Sequence, residues 1–251
     1  VSAVFHVTGD AYDDFMGRYS TVLAPLFADF AGITSGLRAL DVGAGTGALT
    51  GELLRRGADA LAAEPSPEFV AVLRQRFPGV EVQEAPAERL PFADGAFDVA
   101  LAQLVVAFMT DAPAAIAEMM RVARRVAVCM WGVAEMDMFA AIDRTAKAIG
   151  VARASEQAAR RFRTSHELRD LLAPHAAVVE EAELDVTASY RDFDEFWHAL
   201  DRRVGPAGHW LASLAADTRV RARDELFRQL GSPRGRFELH ARAFAVAVTR
   251  G

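Results

Sequence analysis

Through its first half the chain alternates short apolar runs with stretches of helical periodicity. Residues 37–42 read as a buried strand running into a glycine loop. Residues 46–56 follow as a helix with Leu49 and Leu53 on one face, and 58–64 form a second short strand. Ser66-Pro67-Glu68 is a helix start: Ser66 can accept an unpaired N–H, and Pro67 has no N–H to leave unpaired. Phe69, Val72, Leu73 and Phe77 then share a face. Residues 80–84, 97–105 and 125–131 read as the third, fourth and fifth strands, with Asp111 and Pro113 opening the helix that precedes the fifth.

Strands alternating with single helices imply parallel crossovers. The end of the chain breaks that rhythm. Residues 177–186 and 237–248 both read as strands, the second with Phe244, Val246 and Val248 on one side. The excursion 189–235 between them reads as helical. Phe193, Phe196, Trp197, Leu200 and Val204 make one apolar face, Asp217 starts a further helix, and Gly231-Ser232-Pro233 stops it. The expected architecture is one α/β domain over 1–251, a Rossmann-like, mostly parallel seven-stranded sheet with its last strand antiparallel. Its core would be 31–132, 164–188 and 236–251, and helical lid segments 1–30, 133–163 and 189–235 would cover the sheet edge.

Composition narrows the chemistry. Of 251 residues, 52% are hydrophobic and 25% charged, enough for a sizeable core and against disorder. The formal charge of -6 gives no basic surface for nucleic acid. The arginine-rich stretches 153–163 and 219–228 are interspersed with acids or alanine and read as solvated helix faces. Cys129 is the only cysteine, so neither an intrachain disulfide nor a multi-thiolate zinc site can form within one chain, and its apolar strand makes it a small core residue. The six histidines are scattered and form no H-x-x-x-H pair, so no metal is expected. No apolar run approaches the ~18 residues of a spanning helix. The N-terminal stretch lacks a basic-then-apolar signal pattern. These features lead to the expectation of a cytoplasmic enzyme without membrane or nucleic-acid partners.

The segment Asp41-Val42-Gly43-Ala44-Gly45-Thr46-Gly47 joins a strand to a helix through glycines that permit a tight turn and close ligand approach. Alone it also fits the loose dinucleotide pattern G-x-G-x-x-G/A. Asp41 shifts the balance, because a carboxylate there repels a pyrophosphate and suits an ammonium or sulfonium. Glu64, at the end of the second strand, stands where an acid accepts ribose hydroxyls.

With these elements the chain resembles the class I S-adenosylmethionine-dependent methyltransferases of the small-molecule type. The resemblance rests on Asp41 to Gly47, Glu64-Pro65-Ser66, Ala87-Glu88-Arg89-Leu90-Pro91-Phe92, the fourth strand from Phe97 to Gln103, and an N-terminal stretch, Tyr12 to Ser20, similar to the family's lid helix. It implies S-adenosylmethionine as cofactor. Asp41, Gly43, Ala44, Gly45 and Gly47 would form the loop along its methionine part. Glu64 and Pro65 would lie at the ribose, Ala87 and Glu88 at the adenine, and the Gln103 carbonyl at the amino group. Arg18 would hold the carboxylate, with Tyr12 and Tyr19 closing over it. One departure is visible: the family's proline-glycine turn before the fifth strand is replaced by Arg121-Val122-Ala123-Arg124-Arg125.

The implied activity is methyl transfer to a small, apolar or aromatic acceptor by in-line displacement. The aromatic lid favours such an acceptor, and Trp131 stands where it would pack the lid or wall the pocket. His209, or failing that His198, is the candidate general base, placed by the excursion over the ligand edge. A nicotinamide-dependent oxidoreductase and a non-catalytic cofactor-binding protein remain as alternatives.

Overall fold

The computed structural model describes residues 9–152, 161–175 and 178–250. The chain opens with α1 (Gly9–Tyr12), a π turn (Asp13–Gly17) and α2 (Arg18–Ala31). Then come β1 (Arg38–Val42), α3 (Ala48–Arg55), β2 (Asp59–Glu64), α4 (Pro67–Arg76), β3 (Glu81–Glu84) and β4 (Phe97–Gln103). These are followed by α5 (Ala112–Val122), β5 (Ala123–Trp131), α6 (Asp137–Ala148), α7 (Ser165–Leu172) and β6 (Val179–Tyr190). The chain ends through α8 (Phe193–Asp201), α9 (Gly205–Ala212), α10 (Ala216–Gln229) and β7 (Phe237–Thr249).

The strands form one seven-stranded sheet in the order β3-β2-β1-β4-β5-β7-β6. β1 to β5 pair in parallel, and β7 runs antiparallel to both β5 and β6. This is the expected architecture: six parallel strands and an antiparallel last one. Successive strand residues face opposite layers, as the pleat requires. Val99, Leu101, Ala127, Cys129 and Trp131 join a core with α2, α3 and the α8–α10 excursion. Ala100, Ala102, Val126, Val128 and Met130 join the other core with α5 and α7. Burial on both faces is why these strands read as continuous apolar runs.

The caps follow the residues. Ser66 accepts the Phe69 N–H at the start of α4, and Asp111 accepts the Ala114 N–H at the start of α5. The α5-to-β5 joint, where the proline-glycine turn is missing, passes from Val122 straight into Ala123. It lies at the amino edge of the sheet, away from the loops at the strands' carboxyl ends.

Several boundaries differ from the sequence expectation. β4 stops at Gln103 because Leu104 takes a left-handed conformation, φ 64°, that turns the chain out of the sheet. β6 runs on to Tyr190, because its pairing with β7 continues through Thr187↔His240 to Tyr190↔Phe237; the expected start at Ala177 lies outside the described residues. The 189–235 excursion is three helices, broken at Arg203 (φ 61°) and again after Ala212. Of the segment 133–163, α6 is helical, while 153–160, with most of the 153–163 arginine stretch, lie outside the described residues.

Candidate functional site

In a sheet of this order the chain leaves β1 toward β2 on one side and reaches β4 on the other. The crevice at that switch point, beyond the carboxyl ends of the strands, is where ligands of open α/β sheets bind. Here it holds an open cleft, with about 930 Å3 of empty space when the adjoining open solvent is included. The cleft brings together Tyr12, Gly43, Gly45, Glu64, Pro65, Ala87, Glu88 and Gln103, all named from the sequence. Ser66, Phe69, Pro86, Leu104, Val105, Phe108, Met109 and Thr110 complete the lining. The residues from Leu104 to Thr110 were not foreseen. They follow an abrupt turn out of β4 and form only a short 3-10 turn, Val106–Phe108, so no periodicity announces them.

The backbone of the glycine loop is already committed. The N–H groups of Gly43 and Ala44 donate to the Ala63 carbonyl at 2.7 and 3.3 Å, and that of Gly47 to the Ala44 carbonyl at 2.9 Å. The Gly45 N–H donates to Glu64 Oε2 at 2.9 Å, and the Ser66 N–H to Glu64 Oε1 at 2.9 Å. Glu64 therefore ties the loop after β1 to the start of α4. Burial raises its carboxyl pKa, and the two N–H donors act against that rise. An ionised carboxylate offers about four lone-pair sites, so it can accept further hydroxyls while holding both amides.

The glycines divide by role. Gly45 has φ 56° and faces the cleft, where an added Cβ meets nothing within 4 Å. At Gly47 (φ 91°) a Cβ would lie 2.4 Å from the Phe77 ring and 2.9 Å from Leu73. Gly47 is thus demanded by packing against α4, and it is not part of the cleft lining. Ala44 likewise packs with Val70 and Leu73 of the α4 layer.

Asp41 lies beneath the loop and does not reach the cleft lining. Its buried carboxylate accepts the Thr50 hydroxyl at 2.6 Å. Burial pushes its pKa up to about 7; the Thr50 bonds oppose the rise and nearby Glu64 adds to it.

The N-terminal segment closes the cleft from above. Tyr12 lines it and meets Phe69 edge-on at 5.8 Å. Asp13 accepts the Thr46 hydroxyl at 2.6 Å and pairs with Arg76, which also donates to the Thr46 carbonyl at 3.1 Å. Arg18 departs from its expected place. Its guanidinium donates to the Ser189 carbonyl at 2.8 Å and to Glu195 at 3.0 Å and lies over the Tyr190 ring at 4.7 Å, so it joins α2 to β6 and α8 outside the cleft lining. Tyr19 is fully buried beside Trp131 and Tyr190, again outside that lining.

The histidine expectation is corrected too. His198 and His209 sit on exposed positions of α8 and α9, and neither lines the cleft. The inward face of α8 is taken by Phe193, Phe196 and Leu200, and of α9 by Trp210 and Leu211. Cys129 is a buried free thiol whose pKa is raised by burial, which makes it a poor nucleophile. Among the described residues no group of three or more His, Cys, Asp or Glu side chains could hold a metal. Within the same residues no helix is long and apolar enough to cross a membrane.

Known proteins resemble this chain in sequence and in fold. Residues 40–130 match the family model described as a methyltransferase domain. An uncharacterized protein of Mycobacterium tuberculosis is 37% identical over 106 residues, 41% of this chain and 39% of that one. The demethylmenaquinone methyltransferase of Beutenbergia cavernae is 36% identical over 96 residues, 38% of this chain and 40% of that one. The chain thus spans about two fifths of the length of the curated relatives it matches. Among solved structures, one described as a candidate type II methyltransferase from Anaeromyxobacter dehalogenans superposes with a TM-score of 0.65 at 23% identity, covering 90% of this chain and 95% of that one. That likeness establishes the fold.

Proposed function

We propose that this chain, whose segment 40–130 belongs to the methyltransferase-domain family, binds S-adenosylmethionine in the switch-point cleft and transfers its methyl group to a small molecule. The observation that carries the reading is the Glu64 carboxylate lying against the glycine loop, with Gly43, Ala44, Gly45 and Gly47 already donating within the protein. A pyrophosphate needs free backbone N–H groups and no facing anion. This loop offers it those four amides already used and a carboxylate in front. A ligand bearing hydroxyls and a positive charge suits the same surface.

The cleft fits the cofactor. Glu64 accepts the ribose hydroxyls while keeping Gly45 and Ser66. Ala87 and Glu88, after β3, flank the adenine, and Gln103 faces the methionine end. Tyr12 covers the cleft, and Asp41 supplies negative potential from below. When bound, the cofactor supplies a methyl carbon on a sulfonium, whose leaving group is neutral. The protein's part is then alignment of an acceptor for in-line attack and exclusion of water. With His198 and His209 turned outward, an acceptor that loses its proton before or during attack does so without a histidine from α8 or α9.

Calorimetry with S-adenosylhomocysteine and with a nicotinamide dinucleotide tests the cofactor. Binding of the first at micromolar concentration and no binding of the second is expected; the reverse ends the reading. Transfer of radiolabel from S-adenosylmethionine to members of an acceptor library tests turnover, and tight cofactor binding with no transfer to any member would favour a non-catalytic protein.

A further inference from the structure

The segment between β3 and β4, residues 85–96, has no helix or strand of its own, so its backbone groups need partners elsewhere. α5 supplies many of them. At the start of the helix the Asp111 N–H donates to Glu88 Oε1 at 3.0 Å. Farther along, Glu118 Oε2 accepts the Leu90 N–H at 3.0 Å. In the last turn Arg121 donates to the Leu90 carbonyl at 2.9 Å, and to the Phe92 carbonyl and Asp94 Oδ1 at 2.8 Å each. The Arg121 carbonyl accepts the Gly95 N–H at 2.9 Å. The segment therefore runs back along α5, from the cleft toward the amino edge of the sheet, and is held from Glu88 to Gly95.

The Arg121 guanidinium is used completely. Arginine carries five N–H donors in a planar fork. Two of them grip Glu118 at 2.8 and 2.9 Å, and the other three take the Leu90 and Phe92 carbonyls and Asp94. The bonds from Arg121 hold the Glu118 carboxyl below its ordinary pKa, so it stays an anion that accepts the Leu90 N–H. Leu90 is buried, and is thus fixed by its N–H, its carbonyl and its side chain at once. Glu88, two residues earlier, lines the cleft, and its second oxygen, Oε2, has no bond among the described residues.

We propose that Arg121 is the positioning residue for recognition of the cofactor's base. By fixing Leu90 it sets the Glu88 carboxylate where Oε2 accepts the exocyclic amine of adenine, and so makes the cleft select a 6-aminopurine over a 6-oxopurine. This rests on the S-adenosylmethionine reading of the cleft. Arg121 opens the run Arg121 to Arg125 at the far end of α5 and lies outside the cleft lining, so it acts on the ligand only through the loop.

The selection is a matter of geometry. A site built to bond an N–H rejects an analogue that lacks it, and a 6-oxopurine turns a carbonyl lone pair toward the carboxylate instead. Hydrogen bonds weaken steeply once distance and angle are lost, so a Glu88 on a loose loop would discriminate poorly. Lysine in place of Arg121 keeps the charge but has three donors on one nitrogen and no fork to hold Glu118 and the two carbonyls together.

The test compares wild type with Arg121→Met, Arg121→Lys and the control Arg125→Met. Arg125 likewise holds a carboxylate and backbone carbonyls, those of Glu180, Ala31 and Phe30, but none of these lines the cleft. Two quantities are read: the melting temperature, and the ratio of affinities for S-adenosylhomocysteine and S-inosylhomocysteine by calorimetry. The second compound differs only in carrying oxygen in place of the 6-amine. Wild type is expected to prefer the amine by about tenfold or more. Both Arg121 variants are expected to cut the preference to about threefold or less, chiefly through weaker binding of S-adenosylhomocysteine. Arg125→Met is expected to lower the melting temperature and keep the preference, because a loss of stability alone does not move a ratio. A wild type without preference, an Arg121→Met that retains it, or an Arg125→Met that loses it equally overturns the proposal. If Arg121→Met does not fold, Arg121→Lys is judged by the same ratio; if neither folds, Arg121 is a structural residue and the proposal falls. A wild type that binds neither compound defeats the cofactor reading and this proposal with it. Binding of S-adenosylhomocysteine with a ratio that Arg121 does not move defeats this proposal alone.

Discussion

Asp13 of the N-terminal π turn accepts the hydroxyl of Thr46, in the glycine loop, at 2.6 Å. Arg76 completes the clamp by pairing with Asp13 and donating to the Thr46 carbonyl. The segment above the cleft is thereby fastened to the loop beneath it. On its other side Arg18 and the Asp14–Arg202 pair fasten the same segment to α8 and the turn after it. One short stretch connects the cofactor cleft with the lid over the neighbouring sheet edge.

Asp13→Ala should loosen that stretch without unfolding the sheet. The groups are partly exposed, so the change is set at about 1 kcal/mol, roughly a fivefold rise in amide exchange across residues 11–20. Hydrogen exchange by mass spectrometry checks it, and S-adenosylhomocysteine should slow exchange there in wild type more than in the variant. Equal exchange in both proteins would remove the clamp.

Glu64→Ala should weaken S-adenosylhomocysteine binding by about 1.5–3 kcal/mol, roughly ten- to a hundredfold, through the lost charge-assisted bonds. It should also lower the melting temperature, because the Gly45 and Ser66 N–H groups lose their acceptor. Calorimetry and a thermal melt on one preparation read both effects. An affinity equal to wild type would detach Glu64 from the ribose.

The glycines should separate stability from binding. Gly47→Ala drives a Cβ into Phe77 and Leu73 and should destabilise by about 2 kcal/mol or more, strain and overpacking together. Gly45→Val meets open cleft space, so only its positive φ strains the fold, at about 1–2 kcal/mol. Its main effect should be loss of cofactor binding. Urea denaturation beside calorimetry would contradict this division if Gly45→Val, still folded, bound S-adenosylhomocysteine like wild type.

Asp41 should give stability an unusual pH dependence. Its pKa is raised from 3.8 to about 7 in the folded protein, so between those values the native state keeps a proton that the unfolded chain has lost. Stability is then greatest at the acid end of that window and falls as pH rises through 7, by on the order of 4 kcal/mol in the limit. Asp41→Asn should flatten this component, seen as the difference between the two proteins' urea midpoints from pH 5 to pH 8.5. A cation in the cleft favours the ionised carboxylate, so wild-type affinity for S-adenosylhomocysteine should rise through the same window and the variant's should not.

Arg18→Ala decides between two assignments. The geometry assigns Arg18 to α8 and Ser189, so the variant should speed exchange in α8 and change cofactor affinity less than threefold. A loss of tenfold or more in affinity for S-adenosylhomocysteine would instead restore the carboxylate-binding role that the family resemblance implies.

Local signals were enough for the sheet and for part of the cleft lining. Strands buried on both faces appear as apolar runs, Ser66 and Asp111 mark helix starts by the bonds their side chains can make, and a glycine loop after β1 with an acid at the end of β2 follows from chain connectivity alone. Glu64, Gly45, Ala87 and Gln103 converge because each lies at the carboxyl end of its strand or just beyond it, and parallel strands bring such ends to one edge. What sequence spacing could not settle was the direction of side chains on helices whose register against the sheet depends on distant contacts. Arg18 turns to Glu195, 177 residues away, and His198 and His209 turn outward because Phe196, Leu200 and Trp210 compete for the apolar interior. Gly47 resembles Gly45 in the motif, yet only packing of α4 gives it a different duty. The abrupt end of β4 at Leu104 and the continuation of β6 to Tyr190 likewise depend on neighbouring strands. The burial of Tyr19, Trp131 and Tyr190 together follows from that tertiary arrangement, since no local pattern relates residues so far apart in the chain.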